Sequence, residues 1–154
     1  MLVIRRAESG DAEAMSGVLE EIIAAGSRTK PGDPDFARSH YIEHAHRIAC
    51  SVAIDSAGRM LGFQSLKLAH EGNLYGTPAG WGIIGTHVRP SAARTGVGSR
   101  LFEATLAAAL KFGLSTIEAF IGEHNSTALR YYDAIGFHTY RRCDGIVCKR
   151  FDAL

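Results

Sequence analysis

Apolar residues follow two alternating spacings along the chain, and each change of spacing marks an element. Leu2-Val3-Ile4-Arg5 opens as a short apolar run of β type. The spacing then turns helical. Met15, Val18, Leu19, Ile22 and Ile23 recur every three or four positions, behind Ser9 as N-cap and with Asp11 and Glu13 in the first turn. Gly26 stops that helix. Residues 27–35 are polar and rich in breakers, which predicts a loop. A second, more polar helix is expected from Phe36 to His46. Ile48 to Ile54 and Met60 to Leu68 read as strands around a turn at Asp55–Arg59, His70 to Gly80 as a loop, and Trp81 to Val88 as the next strand. From about Gly98 to Phe112 the helical spacing returns, with Leu101, Thr105, Ala108 and Phe112 on one face and Phe102, Leu106 and Ala109 beside them. Gly113 ends it. Thr116 to Ile121 is a strand. Asn125 or Ser126 caps a helix running to about Ile135, with Gly136 as its left-handed stop, and Phe137–Arg141 and Ile146–Arg150 form a last hairpin around Asp144-Gly145.

The element order is therefore β-α-α-β-β-β-α-β-α-β-β, which one mixed α/β sheet with helices on both faces accommodates. The 154 residues fit a single domain spanning 1–154. Composition changes this picture little: 46% hydrophobic and 21% charged residues are ordinary for a globular protein. A formal net charge of +1 supplies no bulk field for nucleic acid or a membrane surface, so neither is an expected partner. Cys50, Cys143 and Cys148 are odd in number and form no C-x-x-C, which suggests reduced thiols in a cytoplasmic protein. No apolar run reaches the roughly 18 residues of a membrane span, and the first residues do not read as a signal peptide.

The candidate chemistry starts where the strand at Trp81–Val88 meets Pro90. A small-residue loop with Gly96 and Gly98 follows, and a helix begins. Such a junction aims free backbone N–H groups and a helix dipole at one spot, which suits a phosphate-bearing ligand. A Rossmann reading fails because Leu101 stands at the third glycine position, the loop is too long, and no second mononucleotide half follows. A phosphate-binding loop of Walker type fails because no G-K-[ST] is present. His40-Tyr41-Ile42-Glu43-His44 spells the metallopeptidase pattern H-x-x-E-H, but a third ligand and a larger scaffold are missing, so no metal is expected.

Farther on, Asn125, Ala128, Tyr132, Gly136 and Phe137 fall in the register N-x-x-A-x-x-x-Y-x-x-x-G-F. With Gly96 and Gly98, this resembles the GNAT superfamily of acyl-CoA-dependent N-acetyltransferases, and the element order resembles it over nearly the whole chain. The resemblance implies a mostly antiparallel, twisted central sheet of about seven strands. It also implies an enzyme that transfers an acetyl group from acetyl-CoA to a primary amine by direct attack in a ternary complex. A small, amino-acid-like acceptor is the default; a protein or peptide amine, or a non-catalytic acyl-CoA-binding protein, are the alternatives. A homodimer is common in the family.

The same resemblance assigns roles. Amides of Ala93, Arg94, Thr95, Gly96, Val97, Gly98 and Ser99 would cradle the pyrophosphate, although Ala93 stands where the family usually has Gln or Arg. Backbone groups near His87 and Val88 would hold the pantetheine arm, and the Val88 N–H would face the developing oxyanion. Asn125 and Ala128 would contact the cofactor arm, Asn125 also capping its helix. Tyr132, with an ordinary pKa of roughly 10, would protonate the leaving thiolate; Tyr131 would pack in the core or touch substrate. The strand before the loop carries no carboxylate. His87, with an ordinary pKa near 6.5, is the candidate base, with Glu123, His124 or a water chain as rivals. Arg28, Lys30, Arg38, His40, Tyr41, His44 and Glu123 are the candidate acceptor contacts.

Overall fold

The alternation of spacings resolves, in a computed structural model that describes residues 1–154, into one seven-stranded sheet flanked by helices. The strands are β1 (Val3–Arg6), β2 (Arg47–Ile54), β3 (Met60–Leu68), β4 (Gly82–Val88), β5 (Thr116–Gly122), β6 (His138–Cys143) and β7 (Ile146–Asp152). The helices are α1 (Ala12–Ala24), α2 (Pro34–Ala37), α3 (Val97–Phe112) and α4 (Ser126–Ala134). In space the strands run β1-β2-β3-β4-β5-β7-β6. Every neighbouring pair is antiparallel except β4–β5, which is parallel and is bridged by α3, because parallel strands need a crossover. The mixed, mostly antiparallel sheet expected from the sequence is thus present. No helix is long and apolar enough to cross a membrane.

Strand alternation separates the two faces. Met15, Val18 and Leu19 of α1 bury against Val52 and Phe63, together with Tyr41 and Ile42. On the other face Phe102 and Ala109 of α3 and Tyr132 of α4 bury against Leu66, Ile84, Ile117 and Ala119. Because successive residues of a strand point to opposite faces, Thr86 and Val88 lie on the α3–α4 side with Ile84, while His87 lies beside Phe63 on the α1–α2 side. One strand therefore supplies chemistry to both faces.

Between residues 34 and 46 the structure corrects the expected helix over Phe36–His46. Asp33 caps a single turn instead, its carboxylate accepting the Phe36 N–H at 3.1 Å, with Pro34 in the first helical position. The backbone then widens into a π-helical turn, Arg38–Ile42, closed by the Glu43 N–H on the Arg38 carbonyl at 2.8 Å. The physical reason is the adjacent pair Tyr41 and Ile42. Both are buried, at 4% and 2% exposure, and the wide turn lets two consecutive residues face the sheet. Arg47 bonds the Ile42 carbonyl and ends the segment, so His44 and His46 lie beyond it. Elsewhere the ends shift by a residue or two: α3 begins at Val97 rather than Gly98, and β6 begins at His138.

Two anchors hold the loops over the α1–α2 face. Ser16 Oγ donates to the Gly32 carbonyl at 2.6 Å, which pins residues 27–33 to α1. Glu118, fully buried on β5, accepts from Thr77, Tyr140 and Arg141, and Arg141 also donates to the Tyr75 carbonyl at 2.7 Å. The loop between β3 and β4 is thereby tied to β5 and β6. Removing the fully buried carboxylate takes the acceptor away from Thr77, Tyr140 and the partly exposed Arg141 at once. Glu118→Ala should lower the unfolding free energy by about 3 kcal/mol, measured by urea denaturation of the full chain.

Candidate active site

The strand–loop–helix junction is built from spent and unspent amides. After β4, the Arg89 N–H donates to the Leu61 carbonyl at 2.8 Å. A tight turn at Pro90–Ala92 then uses the Ala92 and Ala93 amides on the carbonyls of Arg89 and Pro90. The Ala93 amide is therefore not available to a ligand, a correction to the sequence expectation. Arg94 adopts a left-handed conformation with φ 62°, strained for a side-chain-bearing residue, and Gly96 follows at φ 84° as the cap of α3. The first amide to bond back is that of Arg100, on the Gly96 carbonyl at 3.1 Å. The amides of Arg94, Thr95, Gly96, Val97, Gly98 and Ser99 consequently have no partner in the protein and converge on the positive end of a helix dipole.

Beside this cradle, the β4–β5 contact runs only from Gly82↔Ile117 to Ile84↔Ala119. Beyond Ile84 the two strands part. With the Arg89 amide committed to β3, alternation turns the Thr86 and Val88 amides toward the opening. Asn125 caps α4 by accepting the Ala128 N–H at 3.1 Å. That helix aims Tyr132, 5% exposed, at the same opening, its hydroxyl 2.7 Å from Thr86 Oγ1. Burial pushes the Tyr132 phenol above its ordinary range, a rise opposed by bonds from the Thr86 hydroxyl and amide, so it stays protonated at neutral pH. Tyr131 sits one residue earlier against the cradle, donating to the Gly98 carbonyl at 2.8 Å. Only glycine fits there, since a Cβ at residue 98 would meet Tyr131 Cε1 at 2.5 Å.

On the opposite face, His87 packs between Tyr41 and Phe63, with ring centroids 5.1 and 4.7 Å away. Around it stand Arg28, which donates to Tyr41 Oη at 3.2 Å, Lys30 over the Tyr75 ring at 5.6 Å, and Lys67 over the Tyr41 ring at 5.4 Å. None of these three cations is paired with a carboxylate. The field is visible in the titrating groups. Burial, then Arg28, Lys30, His40 and Lys67, pulls His87 down to about 3. Burial, then Lys67 and Lys30, pulls His40 to about 4, and burial with Lys30 pulls Lys67 to about 8. The expectation of an imidazole of ordinary basicity at His87 is thus corrected, because it is buried among cations.

Arg28, Lys30, His40, Tyr41 and His87, all singled out in the sequence, meet here. His44 stands at the rim, its ring 6.1 Å from His40. Arg38 is committed to Asp35 at 3.0 Å, and Glu123 opens with His124 onto a separate cleft lined by Asp133, Arg142 and Lys149. Glu43 of the H-x-x-E-H run is turned to Ser9 at 2.5 Å rather than toward the imidazoles. Lys67, Tyr75, Gln64 and Thr86 were missed. The one available signal was a lysine and a glutamine inside a mainly apolar strand.

A loop of unpartnered amides at a helix start, a parted parallel strand pair and a tyrosine aimed into the opening are the features of one class: an acyltransferase that draws its acyl group from a coenzyme A thioester. The model of the acetyltransferase (GNAT) family matches residues 17–137, and the chain belongs to that family. It is similar to a Bacillus subtilis (strain 168) protein, YwnH, provisionally named a phosphinothricin acetyltransferase. The two are 26% identical over 159 residues, spanning 98% of this chain and 94% of that one. Among solved structures, a phosphinothricin acetyltransferase from Sinorhizobium meliloti in complex with acetyl-CoA superposes with a TM-score of 0.76 at 15% identity, covering 98% of this chain and 88% of that one. An acetyltransferase-like protein from Salmonella typhimurium, yncA, solved with its cofactor acetyl-CoA, gives 0.73 at 17% identity, over 99% and 94% of the two chains.

The depressed imidazoles have a consequence for stability. An unfolded histidine titrates near 6.5, whereas His87 and His40 in the folded chain titrate at about 3 and about 4. Between those values the unfolded chain binds more protons. Their neutral burial therefore contributes fully above pH 6.5, and that contribution is lost as the pH falls through about 4 for His40 and about 3 for His87. The melting temperature should drop across this window, and the double variant His40→Gln/His87→Gln should show a flatter drop in thermal scans at stepped pH.

Proposed function

We propose that residues 1–154 act as one catalytic domain that moves the acetyl group of acetyl-CoA to the primary amine of a small, amino-acid-like acceptor, by direct attack in a ternary complex. The observation that carries this reading is the two-sided opening at β4. Free amides at residues 94–99 lie on one side, and the unpaired cations Arg28, Lys30 and Lys67 lie around Tyr41 and His87 on the other. The amides suit a pyrophosphate, and the cations suit a carboxylate on the acceptor.

The residues then divide the work. The Arg94–Ser99 amides hold acetyl-CoA by its phosphates, with Asn125 and Ala128 at the mouth of the arm. The Val88 N–H faces the carbonyl oxygen and stabilises it as charge develops. Tyr132 gives its proton to the departing thiolate. The amine needs little help to lose its proton. Burial, with Lys30 nearby, pulls Lys67 down to about 8, and burial beside these two cations also disfavours the charged form of an acceptor ammonium. A water chain past His87 carries that proton away, His87 serving as a neutral hydrogen-bond partner rather than a strong base.

This division makes a selective claim about acceptors. In a thiol-release screen with acetyl-CoA, α-amino acids and phosphinothricin, the acceptor in the names of the relatives, should be acetylated. Polyamines and aminoglycosides, being cationic, should not. Lys67→Met should raise KM for the best acceptor about tenfold or more and leave KM for acetyl-CoA unchanged. Turnover of a polyamine with higher kcat/KM than any amino acid would remove this acceptor assignment. Acetyl-CoA binding without turnover of any amine would favour a non-catalytic role.

A further inference from the structure

A chain of hydrogen bonds joins the phosphate cradle to Tyr132, through side chains that neither the family motif nor the acceptor pocket accounts for. Tyr131 Oη lies 2.8 Å from the Gly98 carbonyl. Gln64 Nε2 lies 3.0 Å from Tyr131 Oη and 2.9 Å from Thr86 Oγ1. Thr86 Oγ1 lies 2.7 Å from Tyr132 Oη. Gln64 comes from β3, Thr86 from β4 and the tyrosines from α4, so three elements must be in place for the chain to close.

Donor accounting fixes the direction of the chain from the Gly98 carbonyl as far as Thr86. The Gly98 carbonyl can only accept, so Tyr131 spends its single proton there. Tyr131 Oη is left as an acceptor, and the Gln64 atom facing it must be the donor Nε2. The second proton of that NH2 group goes to Thr86 Oγ1. Accepting there polarises the Thr86 hydroxyl as a donor, although either oxygen can donate across the Thr86–Tyr132 contact. The Thr86 amide also bonds Tyr132 Oη, which favours the arrangement in which Tyr132 accepts from Thr86 and keeps its own proton for another partner. Turning the Gln64 amide over would set two acceptors against each other at Tyr131. The orientation is held although it leaves Gln64 Oε1 buried with no partner, in a side chain 1% exposed.

We infer that Gln64 and Thr86 are positioning residues, which fix Tyr132 as a proton donor toward the thioester rather than toward β4. The inference rests on the proposed acid role of Tyr132. When the tetrahedral adduct collapses, the C–S bond breaks and its electron pair stays on sulfur. The Tyr132 proton moves to that sulfur, giving the free thiol. The phenolate oxygen left behind accepts the Thr86 hydroxyl proton as a hydrogen bond. It is reprotonated from water, which balances the proton released by the amine. A Tyr132 that donated to Thr86 would have to break that bond first.

The test is a double-mutant cycle between residues 86 and 132, read as kcat by thiol release with saturating acetyl-CoA and the best acceptor. Thr86→Val should lower kcat roughly tenfold to a hundredfold, with acetyl-CoA affinity changed less than about twofold. Thr86→Ser should restore most of the rate. On a Tyr132→Phe background, Thr86→Val should cost less than about twofold more. As a second variant, Gln64→Leu removes the orphaned oxygen, so its melting temperature should hold while kcat falls. If Tyr132→Phe alone leaves kcat unchanged, the acid role fails and this inference fails with it. If Tyr132→Phe lowers kcat but Thr86→Val costs the same factor on both backgrounds, the acid role stands and the positioning role is overturned.

Discussion

The parallel contact between β4 and β5 lasts for three residue pairs and then stops, and the rest of the site depends on that stop. Backbone N–H and C=O groups inside a fold need partners, and a sheet ordinarily supplies them. Here the edge of β4 from Gly85 to Val88 loses its neighbour while still flanked by packed helices. Two kinds of group answer that edge. Tyr132 comes in from α4 and bonds Thr86, and the Val88 amide faces the opening. The loop that leaves β4 cannot continue the sheet, because Pro90 and the tight turn after it commit the next amides to local bonds. Past that turn, the amides from Arg94 to Ser99 have nothing in the chain to bond.

The two faces of β4 present different physics. On the α3–α4 face the groups are neutral dipoles: amides, hydroxyls and one carboxamide. They act through fixed orientation, as the hydrogen-bonded chain of Gln64, Thr86 and Tyr132 illustrates. On the α1–α2 face they are full charges without counter-ions. Gathering Arg28, Lys30 and Lys67 around a half-apolar cluster of Tyr41, Phe63 and His87 is self-repulsive, and the depressed His87 and Lys67 register that repulsion together with burial. The arrangement persists because the loops that carry it are tied down elsewhere, through Ser16 on Gly32 and through Glu118 with Arg141 on Tyr75. A loop free to move would relax the charges apart.

Much of this was legible in the sequence. Element order and the register of Asn125, Tyr132 and Gly136 depend on local spacing, and local spacing survives folding. The gathering of Arg28, Lys30, His40 and Tyr41 was also visible, as a polar stretch before the second strand. The width of the turn at Arg38–Ile42 was not. It comes from the need to bury Tyr41 and Ile42 side by side against a sheet the sequence does not display. The basicity of His87 could not be read either, since Arg28 and Lys30, which help to lower it, lie far from it along the chain. Gln64 and Thr86 acquire meaning only once the β3–β4 register sets them opposite one another.

The central claim is that the opening at β4 and the amides beyond it receive acetyl-CoA. Amide proton–nitrogen NMR on the intact chain, titrated with acetyl-CoA, tests it most directly. The account predicts that the largest shifts fall on Arg94 to Ser99 and on Val88, with the Ala93 amide little changed because its hydrogen bond to Pro90 is already made. Shifts centred instead on the cleft at Glu123, Asp133 and Lys149, with residues 94–99 unmoved, would contradict it.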